Sequence, residues 1–103
     1  MKSYDITVLP GDGIGPEVMD VALSVLDLVG HKFNIKFNCK EELFGGCSID
    51  KYGIPLTDET INNCKNADSI LLGAVGGPKW EGQAQNKKPE QGLLKWRKSL
   101  GLY

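Results

Sequence analysis

Hydrophobic and polar positions change period several times along the chain, and each change predicts a different element. Residues 4–10 alternate and end at Pro10, which is typical of a short strand. Residues 16–30 carry apolar side chains every three or four positions, which predicts a helix that begins at Pro16 and ends with Gly30 as a left-handed cap. The predicted buried stripe of this helix consists of Val18, Val21, Ala22, Val25, Leu26 and Val29.

The middle of the chain predicts a second strand and a short helix. Residues 32–43 alternate, which indicates a half-buried strand. Its apolar face would carry Phe33, Ile35, Phe37 and Cys39. Residues 44–55 are rich in glycine and are expected to form a connector. Thr57 then suits the N-cap of a short helix that buries Ile61 and Cys64.

The last third of the chain predicts a third strand and a third helix. Residues 69–75 are continuously apolar, as in strands of parallel sheets that are buried on both faces. A polar loop follows, and a helix is expected over 89–100. Alternating strands and helices predict an α/β fold with helices packed on a largely parallel sheet. Because three strands leave sheet edges and faces uncovered, we expect the chain to be the opening of a larger protein.

Composition narrows the class of protein. The chain has 103 residues, enough for one small domain, and is 41% hydrophobic and 24% charged, as in soluble globular proteins. It contains no apolar run of the ~20 residues that a membrane helix needs, and no signal peptide opens it. Cys39, Cys47 and Cys64 form no CxxC pair, which argues against a zinc site and favours a reducing, cytoplasmic setting.

Charge is distributed unevenly. Residues 1–78 carry six basic and eleven acidic side chains, a net charge of −5, whereas residues 79–103 carry six basic and two acidic, a net charge of +4. An anionic ligand would therefore prefer the C-terminal quarter, although a solvated basic helix face explains the same charges. Nucleic acid is a poor candidate, since the basic groups are few and sparsely interleaved with aromatic residues.

The stretch LPGDGIGPEV places a glycine-rich turn before the first helix. Gly11, Gly13 and Gly15 do not match G-x-G-x-x-G, because the third glycine arrives one residue early, and no P-loop lysine follows. We expect Asp12 and Glu17 to occupy the free N–H groups at the helix start and to repel phosphate. Two interpretations remain: a tight strand-to-helix turn, or one wall of a site whose anion contacts lie elsewhere.

A second candidate feature follows the third strand. Gly76 and Gly77 come directly after that strand, where α/β sheets bind ligands. Four residues of the last helix are spaced to share one face: Glu90, Leu93, Leu94 and Arg97. This strip suits a small ligand with an aliphatic branch and a carboxylate, since Arg binds carboxylates with two hydrogen bonds. The alternative is an ordinary amphipathic helix with Arg97 at its rim.

Four segments of the chain, LPGDGIGPEV, FGGCSIDKYGIPLTDET, ILLGAVGGPKWEG and PEQGLLKWRKSLGLY, resemble the N-terminal part of the isocitrate/isopropylmalate dehydrogenase family. The resemblance covers essentially the whole chain. It implies the N-terminal portion of that family's fold, a mixed, largely parallel sheet flanked by helices that is not a Rossmann fold. Residues 1–103 would then be an incomplete N-terminal part of a single domain.

The resemblance also implies an activity. The Glu-x-x-Leu-Leu pattern is similar to the branch that oxidises and decarboxylates (2R,3S)-3-isopropylmalate to 4-methyl-2-oxopentanoate in leucine biosynthesis, with NAD and Mg²⁺ or Mn²⁺. A homodimer is expected for the complete protein, with no nucleic-acid or membrane partner. The tartrate/D-malate branch of the family stays an alternative, as does a standalone, non-catalytic chain that binds nucleotide or another subunit.

By the same resemblance, one loop and one helix carry the ligand contacts. Leu93 and Leu94 would contact the isopropyl group, and Arg97 a substrate carboxylate. The residues implied in NAD binding are Gly77, Pro78, Lys79, Trp80, Glu81, Gly82 and Glu90. The family's metal-binding aspartates, its catalytic lysine and tyrosine and its further arginines would lie beyond residue 103. The resemblance therefore implies no catalytic or metal-binding residue within this chain, which we expect to be inactive by itself.

Overall fold

A computed structural model describes residues 2–77, 79 and 88–101. The elements are, in chain order, β1 Lys2–Gly11, α1 Gly15–Phe33, β2 Ile35–Glu41, α2 Gly46–Tyr52, α3 Asp58–Asn66, β3 Ser69–Ala74 and α4 Pro89–Ser99. The predicted alternation of strands and helices is confirmed, and α4 begins at Pro89 as the sequence indicates.

The sheet has the order β2-β1-β3, and both strand pairs are parallel. Ile6 of β1 is paired with Cys39 of β2 on one side and with Ser69 of β3 on the other. The central strand is the most buried, since Val8 and Leu9 are fully inaccessible to solvent. The predicted α/β class with a parallel sheet is therefore confirmed.

The predicted buried stripe of α1 is wrong in its phase. Met19 and Gly30 are the buried residues of the helix beyond its first turn, and Met19 packs against Ile6 and Val8 of β1. Ala22 and Leu26 are half-buried, whereas the four valines of the stripe, Val18, Val21, Val25 and Val29, are exposed. The helix carries apolar residues on two faces, and the sheet covers only one of them.

The end of α1 also differs from the prediction. The helix continues past Gly30 to Phe33, and Asn34 adopts the left-handed conformation at its C-cap, with φ 55°. Gly30 is instead buried within the helix, where a side chain would contact the carbonyl oxygen of Ile35. Glycine at this position therefore allows close packing of the helix against the start of β2 and does not terminate the helix.

Two strand predictions need correction. Phe33 belongs to α1 and Cys39 is exposed, so only Ile35 and Phe37 of the predicted face are half-buried. The strand β3 lies at an edge of the sheet and is not buried on both faces, because Leu72 is 36% exposed.

The region predicted to be a glycine-rich connector contains the helix α2. It ends at Tyr52, and Gly53, with φ 80°, caps the helix in the left-handed conformation. The following helix, α3, agrees with its prediction, since the Thr57 hydroxyl accepts a hydrogen bond of 3.2 Å from the Thr60 N–H. Ile61 and Cys64 are buried as expected.

A second core, separate from the one formed by Ile6, Val8 and Met19, joins α3 and α4 to the sheet. Its buried members are Leu9, Phe44, Leu56, Ile61, Cys64 and Trp96. Phe44 and Trp96 meet edge to face with their ring centroids 6.2 Å apart, a favourable aromatic geometry. Trp96 thus anchors α4 against the rest of the protein. None of the helices in the described ranges is both long and apolar enough to cross a membrane.

Candidate functional site

The glycine-rich turn brings the end of β1 directly against the end of β3. The Asp12 N–H donates a hydrogen bond of 2.7 Å to the Ala74 carbonyl oxygen. Gly11 has φ 79°, and a Cβ there would overlap the Ala74 carbonyl oxygen. Only glycine permits both this conformation and this contact. The interpretation as a tight strand-to-helix turn is therefore confirmed.

The sequence predicts that the Asp12 side chain accepts from the N–H groups at the start of α1, and this prediction is wrong. Its Oδ2 accepts hydrogen bonds from the N–H groups of Gly46 (2.6 Å) and Gly76 (3.0 Å), and its Oδ1 accepts one from Cys47 (2.8 Å). Ile14, the N-cap of α1, makes no side-chain capping bond. The turn points the buried carboxylate toward α2, a helix that periodicity could not show because it has only seven residues.

The loop after β3 meets α4 at Gly76. This glycine has φ 97°, and the space that a Cβ would take is filled by Oε1 of Glu90. The backbone N–H of Gly76 bonds to Asp12, while its α-carbon lies against Glu90. The structure therefore brings two predicted features together, the residues that follow the strand and the first acidic residue of the predicted strip.

The helix α4 is anchored on one side and open on the other. Pro89, Gly92 and Trp96 are buried, and Gly92 allows close contact with Pro55. The exposed residues include three members of the predicted strip, Glu90, Leu94 and Arg97. The fourth member, Leu93, is half-buried and packs against the second core, so the two leucines are not equivalent.

Glu90 and Arg97 do not neutralise each other. They lie two helical turns apart, about 10 Å along the axis. Within the described part of the chain, neither side chain forms an ion pair with another residue. A carboxylate and a guanidinium therefore stand exposed at the two ends of the strip, with the Leu94 side chain, 56% exposed, between them.

The predicted NAD-contacting loop is only partly described. Gly77 follows Gly76, which lies between Asp12 and Glu90. The Lys79 ammonium lies 2.8 Å from Oδ2 of Asp50 on α2. The loop therefore contacts α2 directly through Lys79, and it contacts the glycine turn through the bond from Gly76 to Asp12. Four residues of the predicted set lie outside the described residues: Pro78, Trp80, Glu81 and Gly82.

A cavity of about 550 Å³ opens beside the glycine turn, at the ends of β1 and β2. No residue of α4 lines it, so it is separate from the predicted strip. Its charged lining is mainly acidic, with Asp20, Glu41 and Glu42 against Lys51. Negative charge at this position disfavours a carboxylate or phosphate ligand.

The described residues do not fit a divalent metal. In the described ranges, no three side chains of His, Cys, Asp or Glu lie close enough together to hold an ion. All three thiols have a raised pKa because burial disfavours the thiolate, and for Cys47 the nearby Asp12 charge raises the pKa further. Raised thiol pKa values are unfavourable for metal binding, which requires the thiolate.

Sequence reasoning gave Asp12 the wrong partners, the N–H groups of α1, and missed the helix α2 with Asp50. The one local signal for α2 in the sequence is a glycine on each side of it, Gly45 and Gly53. In the structure both glycines have φ 80°. No local signal connects Asp12 with Gly76, because 64 residues separate them along the chain.

Comparison with known proteins identifies the family. The sequence profile described as isocitrate/isopropylmalate dehydrogenase matches residues 5–103. The chain is 54% identical over 101 residues to a 3-isopropylmalate dehydrogenase of Staphylococcus aureus, covering 98% of this chain and 28% of that protein. It is 53% identical over 103 residues to the 3-isopropylmalate dehydrogenase of Clostridium acetobutylicum, covering 100% of this chain and 29% of that protein.

Solved structures agree with the sequence comparison. A β-decarboxylating dehydrogenase from Thermococcus kodakarensis superposes with a TM-score of 0.75 at 33% identity, over 97% of this chain and 27% of that one. Isocitrate dehydrogenase from Methylococcus capsulatus gives a TM-score of 0.66 at 28% identity, over 79% of this chain and 22% of that one. The chain thus spans less than a third of the length of these relatives. On this evidence, the chain belongs to the isocitrate/isopropylmalate dehydrogenase family.

Proposed function

We propose that this chain supplies the NAD-contacting loop and part of the substrate pocket of a 3-isopropylmalate dehydrogenase. The observation that carries the proposal is the arrangement of α4. Trp96 and Gly92 hold one side of the helix against the core, and the opposite side presents Glu90, Leu94 and Arg97, with Glu90 against Gly76 after the end of β3. The 53–54% identity to two 3-isopropylmalate dehydrogenases supports the choice within the family.

The residues present fit one side of an NAD site. Gly77 follows β3 at the carboxyl end of a parallel sheet, where a backbone without side chains allows close approach of a nucleotide. The exposed Glu90 carboxylate is able to accept hydrogen bonds from sugar hydroxyls. Residues 77–82 together with Glu90 would hold the cofactor, and bound NAD supplies the acceptor for the substrate's hydride.

The substrate side of the proposal rests on Leu93, Leu94 and Arg97. Leu94 offers exposed apolar surface to a branched aliphatic group, and Leu93 supports it from the half-buried side. The Arg97 guanidinium would bind a substrate carboxylate with two hydrogen bonds. One end of the ligand is thus bound by charge and its branch by apolar contact, which orients it on the helix face.

Other parts of the activity need groups from the rest of the enzyme. From the resemblance to the family, we propose that the metal ligands and the acid–base residues lie outside residues 1–103; among the described residues, no group of three side chains could hold Mg²⁺ or Mn²⁺. A homodimer and a cytoplasmic location belong to the same proposal, by analogy with a soluble biosynthetic enzyme.

The test uses a chimera in which residues 1–103 replace the matching N-terminal part of the Staphylococcus aureus enzyme. We expect the chimera to form NADH from 3-isopropylmalate in the presence of Mg²⁺ or Mn²⁺. Arg97→Ala should reduce kcat/KM by at least about a hundredfold, since a charged hydrogen-bonding group to the substrate is lost. Lys98→Ala, a change in the neighbouring exposed basic residue, is the matched control.

Two outcomes would contradict the proposal. The first is a chimera that prefers tartrate or D-malate over 3-isopropylmalate, which would favour the alternative branch of the family. The second is an Arg97→Ala chimera whose kcat/KM matches that of Lys98→Ala, because Arg97 would then be an ordinary rim residue of an amphipathic helix.

A further inference from the structure

We propose that Asp12 is a positioning residue for the cofactor loop, acting through the backbone of Gly76. The inference rests on the proposed function, because it assigns Asp12 a role at the proposed NAD contacts of Gly77 and Glu90. Asp12 itself contacts neither ligand in this proposal. It determines where the loop begins.

The geometry around Asp12 connects three separate segments of the chain. The carboxylate is 4% exposed and accepts three backbone N–H groups, two at the start of α2 and one from Gly76. The same residue's own N–H donates to Ala74, the last residue of β3. Asp12 therefore holds both the end of the strand and the beginning of the loop against the glycine turn.

The hydrogen-bonding pattern requires a carboxylate at this position. All three partners are donors, and Oδ2 receives two of them while Oδ1 receives the third. An asparagine has a single acceptor oxygen, so its amide nitrogen would face at least one N–H group. If the amide nitrogen faces Cys47, Gly46 and Gly76 keep only a neutral and therefore weaker acceptor; if it faces Gly46 and Gly76, both lose their acceptor.

Gly76 transmits the position of Asp12 to the proposed ligand site. Its N–H is held by Asp12 and its α-carbon lies against the Glu90 carboxylate. A rotation of the Gly76 peptide would therefore move the start of the loop and disturb Glu90 together. Both belong to the proposed NAD contacts, whereas Leu94 and Arg97 lie one to two turns further along α4.

The experiment compares Asp12→Asn with Asp27→Asn in the chimera. Asp27 is an exposed aspartate of α1 whose carboxylate lies 3.7 Å from Nε2 of His31, its one ion-pair partner in the described part of the chain. The readouts are KM for NAD, KM for 3-isopropylmalate, kcat, and hydrogen exchange of the Gly76 amide. For Asp12→Asn we expect KM for NAD to rise about tenfold, because the Gly76 N–H then has at best a neutral acceptor, whose hydrogen bond is about half as strong as one to a carboxylate, and the start of the loop is held less firmly. KM for 3-isopropylmalate should change by less than about twofold, and the Gly76 amide should exchange faster; Asp27→Asn should change none of these values.

The outcomes separate this inference from the proposed function. If Asp12→Asn lowers only the melting temperature, or raises both KM values equally, Asp12 has a structural role and the inference is wrong. If exchange at Gly76 is unchanged, the hydrogen bond does not control the loop, and the inference is wrong while the proposed function stands. If the unmodified chimera fails to bind NAD, the proposed function is wrong, whatever Asp12→Asn does to exchange.

Discussion

Gly76 lies so close to Glu90 that a Cβ at position 76 would overlap the glutamate carboxylate. We therefore predict that Gly76→Ala in the chimera displaces Glu90 and raises KM for NAD by at least about tenfold. The substitution also forces an L-residue into φ 97°, which costs on the order of 1–3 kcal/mol of folding free energy. Steady-state kinetics and urea unfolding would measure the two effects separately.

Gly53→Ala is the matched control for this backbone cost. Gly53 also has a positive φ, 80°, but no other atom lies within 4 Å of the position that its Cβ would take. We expect Gly53→Ala to reduce the free energy of unfolding without changing KM for NAD. Equal KM values for the two variants would argue against a role of the Gly76–Glu90 contact in cofactor binding.

The two leucines of α4 should determine the preference for a branched substrate. Replacing both, as Leu93→Ala plus Leu94→Ala, removes apolar surface from the proposed isopropyl contact and should cost roughly 1–3 kcal/mol of transition-state binding. The ratio of kcat/KM for 3-isopropylmalate to that for malate should fall accordingly. Leu28→Ala, a leucine of α1 that is 69% exposed, is the control. An unchanged ratio in the double variant would contradict the assignment of the pocket.

Two phenylalanines should differ sharply in their contribution to stability. Phe44 is fully buried and contacts Trp96, so Phe44→Ala should reduce the free energy of unfolding by about 3–5 kcal/mol. Phe33, at the exposed end of α1, should change it by no more than about 0.5 kcal/mol when replaced by alanine. Urea unfolding of the chimera measures both, and a small effect at Phe44 would refute the second core described above.

The thiol of Cys47 should react slowly at neutral pH. Its pKa is raised, first because burial disfavours the thiolate and further because the Asp12 carboxylate is nearby. The rate of labelling by a disulfide reagent should be measured against pH, with each cysteine resolved by mass spectrometry. For Cys47 the pH of half-maximal rate should lie above the usual thiol pKa of about 8.5. In urea the profile should return to that value. A native profile that matches the unfolded one would contradict this pKa shift.

The same shift has a consequence for stability. The folded protein holds the Cys47 proton more tightly than the unfolded chain does, so this contribution to stability is complete below the unfolded thiol pKa. It is lost as the pH rises through the raised pKa of the folded state. We therefore expect a Cys47→Ala chimera to lose less stability than the unmodified chimera when the pH is raised through this range.

The isolated 103-residue chain should associate and should not catalyse the reaction. Val21, Val25 and Leu28 are each more than half exposed on the outer face of α1, and such a contiguous apolar surface promotes association. We expect oligomers by light scattering, binding of a hydrophobic dye, no NADH from 3-isopropylmalate with Mg²⁺ or Mn²⁺, and no saturable NAD binding below millimolar concentration. A monomeric chain with a micromolar dissociation constant for NAD would instead support the standalone binding module.

Local sequence signals determined most of the element types. Alternation and apolar runs predicted the three strands, and the side-chain cap at Thr57 and the proline at position 89 marked two helix starts that the structure has. These predictions succeeded because they depend on residues within one or two turns of each other. Residue spacing alone also placed Glu90 and Arg97 on one helix, two turns apart.

Tertiary structure decided which apolar face of α1 is buried and which backbone groups donate hydrogen bonds to Asp12. The valines of α1 repeat at helical spacing, yet the sheet covers the face of Met19 and leaves Val21 exposed. Periodicity identifies a helix but cannot say which of two apolar faces has a partner. In the same way, the glycine turn directs the Asp12 carboxylate toward N–H donors that lie 34, 35 and 64 residues further along the chain. Such contacts depend on how the strands are ordered in the sheet, and no local pattern in the sequence encodes that order.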